Sequence, residues 1–114
     1  MNSVKLERLN SQISKEIART LEYDTKNKIL KTITITGVNV SPDLGSAKVY
    51  YTFFGDYERE IIETELKKSS GFLRTELANK LAIRHTPELR FYFDESVEKG
   101  TNIERILNEI TNKE

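Results

Sequence analysis

Apolar residues recur every three or four positions over residues 4–22, where Leu6, Leu9, Ile13, Ile17 and Leu21 form one stripe of a helix. Asn2 or Ser3 supplies a side-chain oxygen suited to cap it. The beat stops between Tyr23 and Lys31, where Asp24, Thr25, Asn27 and three lysines predict a loop. It changes to a period of two at Thr32-Ile33-Thr34-Ile35-Thr36, β-branched throughout, which predicts a strand running to Val40. After Gly37 the apolar residues move from odd to even positions, Val38 and Val40. A β-bulge at the glycine would restore the same face. Ser41-Pro42-Asp43-Leu44-Gly45 supplies turn chemistry. Ala47 to Phe54 then predicts a second strand, paired as a hairpin, with Tyr51 and Phe53 on one face and Tyr50 and Phe54 on the other.

The helical beat returns after Gly55, with Asp56 placed to cap a helix from Tyr57 onward and glutamates in its first turns. Ile62 and Leu66 keep the stripe upstream, and Leu73, Leu77 and Leu81 continue it downstream, with Ala78 and Ala82 alongside. Between the two runs stand Ser69, Ser70 and Gly71. Serine competes with helical hydrogen bonding, and an interior glycine costs about 1 kcal/mol against alanine. The pattern therefore predicts a helix, a sharp kink, and a second helix to about Ile83. The same residues also fit one long amphipathic helix that tolerates a glycine. Arg84-His85-Thr86-Pro87 reads as a connector. Leu89, Phe91 and Phe93 alternate with Arg90 and Tyr92 as a third strand, and Asp94 to Gly100 as a turn. Thr101 caps a last helix with Ile103, Ile106, Leu107 and Ile110 on one face. Strands and helices segregated in this way predict a small sheet covered by helices, an α+β domain spanning residues 1–114 with about residues 1–3 and 111–114 frayed.

Composition changes this picture little. With 32% charged residues and no apolar run near the ~20 needed to cross a bilayer, a membrane protein is not expected. No signal-peptide core opens the chain, so the cytoplasm is the expected compartment. Cysteine is absent and histidine occurs once, so no disulfide, thiolate metal site or cofactor is expected. His85 has no nucleophile or paired carboxylate at a spacing that suggests catalysis, and no phosphate-loop or dinucleotide glycine motif occurs, so an enzyme is not expected.

Charge changes it more. The net charge is zero, yet Lys67, Lys68, Arg74, Lys80, Arg84 and Arg90 face only Glu76 and Glu88 within residues 67–90. Acidic stretches flank this segment on both sides. A local basic patch is what binds phosphate, although many such clusters are simply solvated faces. If the helix breaks at Gly71, the second half begins with unpartnered N–H groups and the positive end of a helix dipole, bracketed by Lys67, Lys68 and Arg74. The candidate RNA-binding residues are thus Lys67, Lys68, Ser69, Ser70, Gly71, Arg74, Lys80, Arg84, His85 and Arg90. A rival reading is a protein-interaction module using an aromatic patch of Tyr50, Phe54 and Tyr92. The first or last helix is expected to cover that patch.

Three stretches carry a family resemblance: Val38-Asn39-Val40-Ser41-Pro42-Asp43-Leu44-Gly45-Ser46-Ala47-Lys48-Val49-Tyr50, Ser70-Gly71-Phe72-Leu73-Arg74, and Pro87-Glu88-Leu89-Arg90-Phe91. In order and spacing the chain resembles the bacterial ribosome-binding factor A family, built on a type II KH domain, over nearly its whole length. The resemblance implies a non-catalytic assembly factor that binds the free or immature small (30S) ribosomal subunit; a monomer is expected because no extra apolar stripe is left over. It would contact 16S rRNA beside ribosomal proteins and assist late rRNA processing, with special need in the cold. It also implies an Ala-x-Gly kink in place of the usual KH glycine loop. Here Ser69-Ser70-Gly71 takes that place, with serine instead of alanine. A generic KH-fold binder of single-stranded RNA uses nearly the same residues and remains the nearest alternative.

Overall fold

The computed structural model describes residues 3–83 and 85–96. Its elements follow in the order α1 (Ser3–Tyr23), a 3₁₀ turn (Leu30–Thr32), β1 (Ile33–Val40), β2 (Ser46–Phe53), α2 (Arg59–Leu81) and β3 (Glu88–Phe93). The architecture is α+β, as the pattern predicts. Arg84 and the helix expected from Thr101 lie outside the described residues.

The three strands form one sheet in the order β1-β2-β3, with β1 and β2 antiparallel and β2 and β3 parallel. The register between β1 and β2 slips between Ile35 and Gly37, so the expected bulge is present. It lets Ile33, Ile35, Val38 and Val40 share a face despite the change of parity. The five-residue turn between β1 and β2 closes through Ser41 N–H to the Ser46 carbonyl at 2.8 Å and Leu44 N–H to the Ser41 carbonyl at 2.9 Å. Leu44 sits there at φ 62°, a region that a residue with a Cβ occupies at a cost of about 1–2 kcal/mol. Its side chain packs against the core, which offsets that strain.

Both helices pack on one face of the sheet. Ile13, Ile17 and Leu21 of α1, and Ile62, Leu66, Leu73 and Leu77 of α2, join Val40, Ala47, Val49, Tyr51 and Leu89 in one core. Asn10 of α1 accepts the Val40 N–H at 2.8 Å, supplying a partner at the edge of β1. The opposite face carries Lys48, Tyr50, Thr52, Glu88, Arg90 and Tyr92, and neither α1 nor α2 covers it. Of the two helices expected to cover the patch of Tyr50, Phe54 and Tyr92, the first does not, since α1 lies behind the sheet, and the last lies outside the described residues.

The expected kink is not present. Helix α2 runs without interruption from Arg59 to Leu81, through Ser69, Ser70 and Gly71. Magnitudes explain why. Leu66 and Leu73 are seven residues apart, close to two helical turns, so a straight helix puts Ile62, Leu66, Leu73 and Leu77 on one stripe. Each such side chain gains about 1.5–3 kcal/mol on burial, whereas the glycine costs about 1. Ser70 Oγ donates back to the Lys67 carbonyl at 3.0 Å, which spends the hydroxyl inside the helix. The start also differs from expectation: the N-cap is Glu58, with no side-chain capping bond, and Asp56 lies outside the helix. The helix ends at Ala82, which adopts a left-handed conformation.

Candidate nucleic-acid interface

Because α2 is continuous, residues spaced by three and four stand in a row along it. Glu63, Lys67, Ser70, Arg74 and Ala78 form the row that faces the open edge of the sheet. Strand β3 is that edge, and between it and α2 lies a groove of about 450 Å³. Lys67 and Ser70 come from the helix, Leu89, Arg90, Phe91 and Tyr92 from the strand, and Tyr51 from below. The Tyr51 phenol is pushed above its ordinary pKa, first by burial and then by the nearby Glu63 carboxylate. Glu63, which lines the groove, is bridged to Arg59 at 3.3 Å, and the Arg59 guanidinium lies 4.3 Å from the centre of the Phe93 ring and 3.2 Å from Glu95.

Along the same row a second depression, about 660 Å³, is lined by Arg74, Thr75, Ala78, His85, Thr86 and the Asp43-Leu44-Gly45 turn. Arg74 grips the connector, donating to the Thr86 carbonyl from Nη2 at 2.8 Å and Nε at 3.2 Å. Asp43 Oδ1 accepts from Ser41 Oγ at 2.6 Å and from Gly45 N–H at 2.9 Å. These two bonds, that from Ser41 first, hold its carboxyl below the usual range. The three stretches that carry the family resemblance meet here: the hairpin turn, the middle of α2 and the start of β3. Glu88 N–H donates to the Gly45 carbonyl at 3.0 Å and joins the last to the first.

The candidate residues divide accordingly. Lys67, Ser70 and Arg90 line the groove, and Arg74 and His85 line the depression beyond it. Lys68 and Gly71 are exposed on α2, and Ser69 is half-buried. Lys80 turns to another flank, its Nζ 3.7 Å from Asp24. Arg90 has Glu88 at 3.6 Å, an exposed pair that is worth little in water. Arg84 lies outside the described residues. The phosphate-binding corner of free amides at Gly71 is absent, since those N–H groups lie inside a helix. Sequence reasoning also passed over Lys5 and Arg8. They rim an apolar hollow of about 380 Å³ floored by Leu9, Leu44, Ile83 and Pro87, and His85 borders it as well as the depression. The cationic track thus turns from α2 onto α1. Only helical spacing in the first ten residues hinted at it.

Comparison with known proteins places this arrangement. The chain is 42% identical over 109 residues to ribosome-binding factor A of Heliobacterium modesticaldum, covering 95% of this chain and 90% of that one. Its fold matches the crystal structure of ribosome-binding factor A from Thermus thermophilus with a TM-score of 0.69 and 24% identity, over 76% of this chain and 93% of that one. It also matches a Thermus thermophilus ribosome-binding factor A homology model, as fitted into the cryo-EM map of that factor's 30S complex. There the TM-score is 0.65 and the identity 23%, over 77% of this chain and 93% of that one. The family model described as Ribosome-binding factor A matches residues 5–107, and with that match spanning the sheet, both helices and the cationic track, the chain belongs to the ribosome-binding factor A family.

Proposed function

We propose that this chain is a non-catalytic assembly factor of the cytoplasm that binds the free or immature small ribosomal subunit through 16S rRNA. Bound there, it assists late processing and maturation of that RNA, above all in the cold. Family membership supports the partner, together with the 30S complex of the Thermus thermophilus relative. The observation that carries the mechanism is the meeting of Lys67 and Arg90, from two different elements, on one groove beside Ser70. With α2 unbroken, phosphate is held by flexible side-chain cations rather than by fixed amides. Such contacts are strongly salt-dependent and carry no base code. Specificity for one ribosomal position then comes from the shape of the groove and the spread of cations along Lys67, Arg74, Arg8 and Lys5, with His85 between them.

The test is co-sedimentation with isolated small subunits across a salt series. The parent chain is expected to bind, and Lys67→Glu with Lys68→Glu to weaken binding and flatten its salt dependence. Equal binding by the charge-reversed chain would overturn the assigned surface. The maturation role is read separately, as accumulation of unprocessed 16S precursor on depletion at low temperature. No accumulation would remove that part of the proposal.

A further inference from the structure

The face of the sheet turned away from α1 and α2 has a pattern of its own. Tyr50 of β2 and Tyr92 of β3 are register partners, their ring centres 6.0 Å apart and their planes tilted by 34°. Two residues earlier, Lys48 and Arg90 are register partners as well. Tyr92 is 43% exposed. Gly37 is the partner of Tyr50 on β1 and puts no side chain beside it, and among the described residues neither helix lies over the half-buried Tyr50 ring. Here two aromatic planes stand next to Lys48 and Arg90, with Glu88 3.6 Å from Arg90 on the same face, and Arg90 and Tyr92 also line the groove against α2.

We infer that this face, which no helix covers among the described residues, is a stacking platform for unpaired RNA bases, reached by a strand that crosses the β3 edge from the groove. Tyr50 and Tyr92 offer ring faces to bases, and Lys48 and Arg90 offer charge to the phosphates between them. Stacking of this kind tolerates any base, because every base presents a π-face. It requires bases that are not already paired, so the platform selects single-stranded segments of immature RNA over finished helices. Phosphate contacts alone do not make that distinction. The inference rests on the RNA-binding reading above and adds to it a second surface and a preference for unpaired strands.

The experiment measures binding of the full chain to a labelled oligouridylate and to a fully paired RNA duplex of the same length. Loss of base–aromatic stacking lowers affinity about five- to 160-fold per base. Tyr50→Ala with Tyr92→Ala is expected to lose at least the lower figure on the single strand and little on the duplex. Tyr50→Phe with Tyr92→Phe should bind as the parent does. The tyrosine ring resonances should shift when the oligouridylate is added. Single-strand affinity unchanged in a double alanine variant with the parent's circular dichroism overturns the platform. If Lys67→Glu with Lys68→Glu still weakens RNA binding in that case, the groove reading survives alone. Failure of the parent chain to bind either RNA or small subunits removes both. Ring shifts caused by an RNA-free ribosomal protein, and not by RNA, would make the face a protein-docking surface and overturn the inference.

Discussion

Arg74, in the middle of α2, holds the carbonyl of Thr86 with two of its guanidinium nitrogens, Nη2 at 2.8 Å and Nε at 3.2 Å. A side chain that charge alone assigns to phosphate therefore also fastens the segment between α2 and β3. Arg74→Lys keeps the charge but loses the planar fork. It should lower stability by about 0.5–1.5 kcal/mol in denaturant unfolding. Subunit binding at low salt should change far less than in Arg74→Glu. Equal loss of binding in both variants would show that the fork, not the charge, serves the RNA.

Gly71→Ala separates the continuous helix from the kinked one. Gly71 lies in the helix interior with an ordinary backbone, and a Cβ built there meets nothing within 4 Å. The variant should be more stable by about 1 kcal/mol, seen as a higher unfolding midpoint at an unchanged slope. A kink with a left-handed or closely approached glycine demands the opposite sign.

Leu73→Ala tests what holds the second half of α2 in line. Leu73 is 1% exposed and continues the stripe begun by Ile62 and Leu66. Truncation should cost about 2–5 kcal/mol. A loss well under 1 kcal/mol would mean that α2 is not anchored past Gly71 as described.

The pairing of each lysine should set its share of the salt dependence. Lys67 lines the groove, while Lys80 is turned to Asp24. Lys67→Ala should reduce the slope of log affinity against log salt by about one phosphate contact. Lys80→Ala should reduce it by less. The reverse order would move the interface to the other flank of α2.

Asp43 links the hairpin turn to pH. Its carboxyl is held below the ordinary 3.8 by Ser41 and by the Gly45 amide. A depressed folded-state value means stability that is present above about 3.8 and lost as pH falls through the lower native value. The parent should therefore exceed Asp43→Ala in unfolding midpoint at neutral pH, and the gap should narrow below the ordinary carboxylate range. A gap independent of pH would assign the effect to packing of the turn.

Much of this molecule is written in local pattern. The apolar stripe of α1, the β-branched run of β1, the parity change at Gly37 and the turn from Ser41 to Gly45 each state their structure within a few residues. Period and turn chemistry are short-range properties, and nothing in the fold opposes them. The three family stretches and the cations of residues 67–90 were legible for the same reason. Ser69-Ser70-Gly71 was not, because its local preference for a break is about 1 kcal/mol, and the sheet beneath outweighs it through Leu66 and Leu73. Whether a helix bends at a weak point is decided by what both of its halves bury. The sorting of cations was likewise a tertiary matter. Lys67 and Arg90 meet because α2 lies along β3, Lys80 finds Asp24, Arg74 finds Thr86, and Lys5 and Arg8 join a track whose other members come from α2 and the connector after it. Sequence by itself determined the first helix, the three strands and the family, since these depend on neighbours in the chain. Only the tertiary structure decided which charges and rings share a surface, because partners brought together by packing leave no periodic trace along the chain.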